Sequence, residues 1–310
     1  MIRLSETFDL GLDHTRMKDP RDGARQTASA AELLRRLFDD DPQRRWELQI
    51  LADEVGMGKT FVALAVAFSL LEDMMAGRTP DGLEGCYQKI VILTPPNTSL
   101  LRKWYREVSE FVKRCVPEGQ RDQAKRWFSP TQCERLDDFV RSLRRRGGGS
   151  RVIVASMDIF GDKKLRDYDV KRRFLLGALF RYWGNRLQND RRERLLRGAP
   201  ADWPQRPDQL SDFDQRDIEK FPCSEEDAVE AIRRLDRPTE DGKPSLVEQL
   251  LEECRDISEP FTRDRDQLFK RMSSNLNSIY REMVLSLLGS PVPLVIVDEA
   301  HNWKIGRAHV

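Results

Sequence analysis

Residues 51–60 read LADEVGMGKT and decide the fold, because an apolar run precedes them and an apolar helical pattern follows them. Gly56 and Gly58 let the backbone turn so that successive N–H groups point towards phosphate oxygens. A helix that begins near Lys59 adds the partial positive charge of its N-terminus. This context predicts a phosphate-binding loop, in which Lys59 holds the β- and γ-phosphates of ATP and the Thr60 hydroxyl ligates Mg²⁺.

The predicted nucleotide-binding residues of this loop form one short run. They are Gly56, Met57, Gly58, Lys59 and Thr60. Asp53 replaces the first glycine of the general phosphate-loop pattern. The alternative is a plain strand–turn–helix corner, which Gly-x-Gly also favours. The apolar strand and helix on either side favour the phosphate-binding loop.

A second motif, PLVIVDEAH at residues 293–301, is a β-branched strand that runs into two carboxylates. Asp298, at the carboxyl end of the strand, is placed to hold the Mg²⁺ shell. Glu299 is then the candidate general base, which orients and deprotonates the attacking water. His301 has the length to sense the γ-phosphate or to relay its loss. A solvated acidic turn is the alternative, but a buried-type strand downstream of a phosphate-binding loop favours a shared site.

Composition limits the function classes without choosing one. Lys+Arg and Asp+Glu nearly cancel over the 310 residues, so the net charge of +1 gives no argument for a polyanionic partner. The five cysteines include no C-x-x-C pair, which predicts reduced thiols in a cytoplasmic protein. The most apolar run, residues 61–71, is shorter than the ~20 residues that span a bilayer. We therefore expect no membrane partner.

Apolar runs and helical patterns alternate along the chain. Buried parallel strands are predicted at residues 46–51, 89–94, 151–155 and 294–297. Helices are predicted between or beside them at residues 29–38, 60–75, 100–112 and 133–145. This alternation predicts a doubly wound α/β lobe, whose ligands lie at the carboxyl ends of the strands.

The third and fourth predicted strands are separated by far more chain than one crossover requires. Helices are predicted in this interval at residues 170–197, 224–235, 245–257 and 262–288. We divide the chain into the first part of the lobe (1–160), a large helical insertion (161–290), the final strand with its acidic motif (291–304) and a non-native tail (305–310). The tail coincides with an in-frame translation of a sequencing adapter, so we expect the natural protein to continue beyond Lys304. The alternative is an ordinary exposed tail.

The first predicted helix of the insertion is rich in basic residues. Residues 171–197 include nine basic residues and only two acidic ones. The basic residues are Lys171, Arg172, Arg173, Arg181, Arg186, Arg191, Arg192, Arg194 and Arg197, and the acidic ones are Asp190 and Glu193. They form either a face that tracks nucleic-acid phosphates or the solvated side of a packed helix. The packed helix is favoured, because charge runs are usually solvated faces. Its predicted apolar face comprises Leu176, Leu179, Trp183 and Leu187.

The phosphate-binding loop and the acidic motif together resemble motifs I and II of the superfamily 2 (DEAD/DEAH-box) helicases and translocases. The acidic pair at residues 53–54 is similar to the Swi/Snf-related branch, which includes the bacterial RapA-type translocases. The resemblance implies a RecA-like P-loop NTPase lobe, with a parallel sheet flanked by helices. It implies ATP hydrolysis, with Mg²⁺, coupled to movement on duplex DNA. A second lobe outside this chain would close the ATP cleft, so this fragment alone should hydrolyse ATP poorly.

Four further residues occupy positions that correspond to motifs of the family. Gln26 resembles the upstream glutamine that reads the adenine, although a helix-surface glutamine is the alternative. Thr94 and Lys103 fall in a stretch similar to motif Ia, which contacts the backbone of one nucleic-acid strand. Ser156 occupies the place of motif Ib, although the family's threonine/tyrosine pattern is not reproduced there. Trp104 is predicted to be a core residue, because it shares a helix face with other apolar side chains.

Two alternatives to a DNA motor remain open. One is an RNA helicase of the Asp-Glu-Ala-His type, against which the acidic pair at residues 53–54 and the KWYRE run at residues 103–107 both argue. The other is a nucleotide-gated regulatory ATPase, in which the helical insertion docks a protein partner. The motif Ia resemblance counts against it, and the neutral net charge is compatible with it.

Overall fold

The computed structural model describes residues 2–13, 15, 17, 19, 21–51, 58–145, 147, 149–161, 168–197, 199–201, 203–239, 241–257 and 263–299. Several predicted features lie outside these ranges. They are Gly56, Met57, His301 and the tail at residues 305–310. Of the predicted phosphate-binding loop, the described residues include Gly58 and the start of the helix after it.

A four-stranded sheet lies at the centre of the first unit. Its strands are β1 (Ile90–Thr94), β2 (Pro130–Cys133), β3 (Val152–Ser156) and β4 (Val295–Val297). They follow the order β2-β3-β1-β4, and every neighbouring pair is parallel. Thr94 pairs with Ser156 and Leu93 pairs with Val297, so three strands end at the same edge of the sheet. This confirms the predicted α/β class with an all-parallel sheet.

Helices flank this sheet and supply most of the core. They are α1 (Arg21–Leu37), α2 (Lys59–Met75), α3 (Thr98–Cys115) and α4 (Glu118–Trp127). α2 is buried nearly all round, as predicted for residues 60–75. Phe68 of α2 packs between Phe8, Phe111 and Phe128, with ring centroids 5.0 to 5.9 Å apart. The Asn97 side chain accepts from the backbone N–H groups of two first-turn residues and so begins α3.

Trp104 belongs to the core, as predicted, because it is 4% exposed on the buried face of α3. The same face carries Leu101 and Val108 at the spacing of an amphipathic helix. The opposite face carries Arg102, Lys103 and Arg106, all exposed.

The prediction of a strand at residues 46–51 is wrong. The structure describes all six residues and shows no strand there. Trp46, Leu48 and Ile50 are 61%, 72% and 79% exposed. Every second residue of the run is polar, which is the pattern of a strand with one buried face rather than two. Such a strand depends on a neighbour to cover that face, and β4 is only three residues long.

Two further elements were missed. β2 is polar at its centre, with Thr131 and Gln132, and lies at the edge of the sheet, so no apolar run marks it. The helix predicted at residues 133–145 begins only at Leu136, because Cys133 ends β2. α4 is strongly polar, and its buried contribution is the single residue Ala124.

The chain divides into two compact units, and the second comprises residues 135–141 and 160–289. Its described part is helical. It contains the start of α5 (Leu136–Arg144), α6 (Tyr168–Trp183), α7 (Asn189–Leu196), α8 (Gln215–Ile218), α9 (Glu225–Leu235), α10 (Leu246–Arg255) and α11 (Arg263–Ser286). Ser224 and Ser245 cap α9 and α10 by accepting from backbone N–H groups, which explains why the serines at these positions mark helix starts.

The single helix predicted at residues 170–197 is divided in the structure. α6 ends at Trp183, and α7 begins only at Asn189. Gly184 follows α6 with φ of 51°, a left-handed conformation that ends a helix. The predicted helices at residues 224–235, 245–257 and 262–288 are confirmed, with small shifts of their ends.

Most basic residues of the segment 171–197 contact other parts of the second unit. Lys171 pairs with Asp137, Arg172 stacks on Trp203, Arg173 donates to the carbonyl of Gln209, Arg181 pairs with Glu225, Arg186 pairs with Asp236, and Arg192 donates to the carbonyl of Gly184. The predicted apolar face is buried as expected, since Leu176, Leu179, Trp183 and Leu187 are each at most 1% exposed. These contacts favour a packed helix over a phosphate-tracking face. Within the described ranges, none of the helices combines the length and apolar character that crossing a bilayer requires.

Candidate functional site: a cleft at the end of the parallel sheet

Gly58 begins α2 in a conformation that favours glycine. Its φ of 83° and ψ of 18° are left-handed, and its carbonyl accepts from the N–H groups of Phe61 and Val62. Because glycine has no side chain, nothing from the cap residue itself occupies the amides of the first turn. The first turn also lacks an acidic residue, which leaves the positive end of the helix dipole without a counter-charge from α2.

Gln26 lies directly against Gly58. A Cβ added to Gly58 would stand 2.2 Å from Gln26 Nε2, so any larger residue at position 58 would require the Gln26 amide to move. Gln26 is 4% exposed and shares the buried face of α1 with Ala30 and Leu34, each four residues further along. This excludes the helix-surface alternative for Gln26, whereas its contact with an adenine stays a prediction.

The acidic motif follows β4 directly, and its first residue still contacts the neighbouring strand β1. The Asp298 N–H donates to the Leu93 carbonyl at 2.9 Å, which holds Asp298 just beyond the paired strand ends. The side chain of Asp298 accepts from Trp104 Nε1, with 2.7 Å between Nε1 and Oδ2. Glu299 is exposed and has φ of 47°. Among the described residues, no other residue except glycine has a positive φ. Strain of this kind costs on the order of 1–3 kcal/mol and often occurs at functional sites.

One cleft of about 1850 Å³ brings the described candidates together. Its walls include Gln26, Gly58, Lys59, Thr60, Lys103, Trp104, Asp298 and Glu299. These residues come from α1, the start of α2, α3 and the end of β4. The carboxyl end of an open parallel sheet is where α/β proteins bind ligands. The exposed apolar residues Trp46, Leu48 and Ile50 line another part of the same cleft.

Thr94 and Ser156, the predicted nucleic-acid contacts at the ends of β1 and β3, are both buried. Thr94 is fully buried, and Ser156 is 8% exposed. The Ser156 hydroxyl donates to the Pro95 carbonyl at 3.5 Å. The contact of these two residues with a nucleic-acid strand stays a prediction.

The donors in the cleft fit a magnesium–nucleotide complex. Lys59 supplies a positive charge, Thr60 a hydroxyl and Asp298 a carboxylate. No group of three or more His, Cys, Asp or Glu side chains stands close enough to hold a metal in the part of the chain that is described. Magnesium is usually held by one or two carboxylates together with substrate phosphates and water, so a single aspartate with a threonine suits it.

Two features of the cleft were not predicted from sequence. The hydrogen bond between Trp104 and Asp298 joins residues 194 positions apart, and no local pattern reports a contact of that separation. The left-handed backbone conformation of Glu299 could not be predicted either, because glutamate has no preference for that conformation.

The described residues define an α/β protein with a four-stranded, all-parallel sheet flanked by helices, and with a cleft that runs along the edge strand β4 and includes the residues at its carboxyl end. Searches among protein-family profiles, curated proteins and solved structures found no match to this chain. What the cleft binds is therefore argued from its own residues.

Proposed function

We propose that this chain is the ATP-binding lobe of a DNA helicase or translocase, which couples ATP hydrolysis to movement on duplex DNA. The observation that carries this proposal is the cleft shared by Lys59 and Thr60 with Asp298 and Glu299. Two motifs more than 230 positions apart in sequence line one cavity beside the edge strand β4 of the parallel sheet. The burial of Gln26 against Gly58 adds a third matching position to the same cleft.

Each residue of the cleft has a specific role in this proposal. Lys59 holds the β- and γ-phosphates, and the N-terminus of α2 adds the attraction of its dipole. Thr60 and Asp298 hold Mg²⁺, which neutralises phosphate charge as the terminal bond breaks. Glu299 accepts a proton from the attacking water. Lys59 also stabilises the charge that grows on the leaving oxygens.

The outer face of α3 supports a polyanionic partner beside the nucleotide. Arg102, Lys103 and Arg106 are exposed there, and Tyr105, 41% exposed, lies among them. Three exposed cations on one helix can contact successive phosphates of a nucleic-acid strand. An exposed aromatic ring among them offers a stacking surface.

A second candidate, a nucleotide-gated regulatory ATPase, is favoured by a different observation. Thr94 and Ser156 are buried, and most basic residues of the segment 171–197 make contacts within the second unit. A switch of this kind binds ATP but does not respond to nucleic acid. An RNA helicase of the Asp-Glu-Ala-His type would respond to RNA instead of duplex DNA.

Equilibrium binding of a fluorescent ATP analogue by the 310-residue chain tests the nucleotide site. We expect Lys59→Ala to weaken Mg²⁺-dependent binding by at least about tenfold, because a charge-assisted contact contributes about 1.5–3 kcal/mol. Lys125→Ala is the matched control, since Lys125 lies on α4, does not line the cleft and pairs with Asp122 at 3.3 Å. Equal affinity for wild type and Lys59→Ala would contradict an ATP site at this loop.

The polymer partner is tested by measuring nucleotide affinity and ATP turnover with duplex DNA, with RNA and without nucleic acid. A DNA motor responds to duplex DNA, and the response should decline steeply with salt. A response to RNA alone would support the RNA-helicase alternative. Nucleotide binding that neither polymer alters would support the regulatory ATPase.

A further inference from the structure

Trp104 makes a single polar contact that joins the core to the candidate metal site. The residue is 4% exposed, and its ring lies among the apolar side chains of α3. The indole N–H is a donor only, and its acceptor is the Oδ2 atom of Asp298 at 2.7 Å. A hydrogen bond from a buried donor to a carboxylate is short and strong, because the acceptor carries charge.

Asp298 is thereby held at two points. Its backbone N–H donates to the Leu93 carbonyl, and its side chain receives the indole of Trp104. The indole takes one lone pair of Oδ2 and holds the carboxylate in one orientation, whereas Oδ1 receives no part of this hydrogen bond. Both contacts come from the first unit and use only β1, β4 and α3.

We propose that Trp104 is a positioning residue that restricts Asp298 to coordination through one oxygen and so selects Mg²⁺ over Ca²⁺. This inference rests on the proposed function of the cleft. Mg²⁺ requires a compact octahedral shell at about 2.0–2.1 Å and takes carboxylates through single oxygens. Ca²⁺ accepts longer distances of about 2.3–2.6 Å and readily takes both oxygens of one carboxylate.

The indole N–H decides whether Asp298 offers one oxygen or both oxygens to a cation. While the N–H holds Oδ2, it fixes the rotation of the carboxylate, and turning the group to present both oxygens to one cation would stretch that hydrogen bond and leave the buried donor without an acceptor. Without the N–H, the carboxylate can turn and offer both oxygens, which favours the larger ion. Contacts that orient a metal ligand typically change metal affinity by about 10–100-fold when they are removed.

The experiment compares Mg²⁺ with Ca²⁺ in binding of the fluorescent ATP analogue by the whole chain. We expect Trp104→Phe to lower the ratio of Mg²⁺-supported to Ca²⁺-supported affinity by about tenfold. Trp127→Phe, the same exchange at a partly buried core residue, is the matched control and should keep the ratio. Because Trp104→Phe leaves space in the core, a second variant carries 3-benzothienylalanine at position 104, where sulfur replaces the N–H and the ring size is kept.

A measurement without nucleotide or metal tests the contact itself. In ¹⁵N-tryptophan-labelled protein, the indole resonance that Trp104→Phe removes should shift in Asp298→Ala, while the other indole resonances stay in place. If that resonance does not move, the contact is absent and the inference is overturned.

The outcomes separate the inference from the function on which it rests. A lowered ratio in both position-104 variants, with the ratio kept in Trp127→Phe, supports it. An unchanged ratio in the benzothienyl variant overturns the inference and leaves the ATP site intact. Wild-type protein that binds no nucleotide with either ion overturns the proposed function, and the inference falls with it.

Discussion

Two features of Gly58 favour glycine, its backbone conformation and its close approach to Gln26, and their effects can be measured separately. Its φ of 83° is left-handed, and its α-carbon stands against Gln26. Gly58→Ala should lower the free energy of unfolding by about 1–2 kcal/mol, because an L side chain disfavours that conformation. The new methyl group should also displace Gln26 from the cleft, so we expect nucleotide affinity to fall by more than about tenfold. Chemical denaturation and nucleotide titration measure the two effects separately.

Gly77→Ala is the control for Gly58→Ala. Gly77 has φ of 77°, but a Cβ there would meet nothing within 4 Å. The conformational cost should therefore be similar while nucleotide affinity is kept. Equal loss of affinity in both variants would show that backbone strain, not the position of Gln26, controls the site.

Among the residues of the cleft, sequence motifs predicted the individual side chains but not the contact between two distant ones. Lys59, Thr60, Asp298 and Glu299 were predicted because strand–loop–helix and strand–acid patterns constrain where such residues stand. The contact between Trp104 and Asp298 depends on how α3 packs beside β4, and no local periodicity encodes that.

Among the secondary-structure elements, α5, α6 and α11 meet around a buried polar group. Lys171 pairs with Asp137, each 2% exposed, and Tyr280 donates from its hydroxyl to Asp137 Oδ1 at 2.8 Å. Lys171→Met should destabilise the second unit by about 3–5 kcal/mol, because it leaves the Asp137 carboxylate buried without its cation. Asp137→Asn combined with Lys171→Met should recover much of that loss, since no buried charge remains. Urea denaturation of Lys171→Met, of Asp137→Asn alone and of the double variant measures the coupling.

The exposed pair of Lys125 and Asp122 on α4 provides the comparison. Their atoms stand 3.3 Å apart with side chains 59% and 93% exposed, so Lys125→Met should leave the free energy of unfolding nearly unchanged. A loss for Lys171→Met no larger than for Lys125→Met would contradict the structural role of the buried pair.

Elements were predictable where capping and periodicity agree, as at Ser224 and Ser245, whose hydroxyls begin α9 and α10. Residues 46–51 were not, because their alternating pattern needs a neighbouring strand that sequence cannot supply. Lys171 was assigned to a basic surface for the same reason. Its partner Asp137 comes from a distant helix, and only the tertiary fold turns that lysine inward.

For the molecule as a whole, two buried acids predict how stability depends on alkaline pH. Burial, and then the negative charge of Asp137, holds the pKa of Tyr280 well above its ordinary value of about 10. Burial, and then the charge of Glu253, raises the pKa of the Cys254 thiol above its ordinary value of about 8.5. In each case the folded chain keeps a proton that the unfolded chain releases.

The stability of the chain should therefore be unaffected by these groups below about pH 8 and fall as pH rises, first through Cys254 and then through Tyr280. Each group contributes a slope of up to about 1.4 kcal/mol per pH unit above its unfolded pKa. Cys254→Ala should flatten the profile of unfolding free energy from about pH 8.5, and Tyr280→Phe should flatten it only above about pH 10, so each variant controls for the other. Urea denaturation at successive pH values gives the profiles. Curves that run parallel to the wild type through both windows would show that neither proton is retained by the fold.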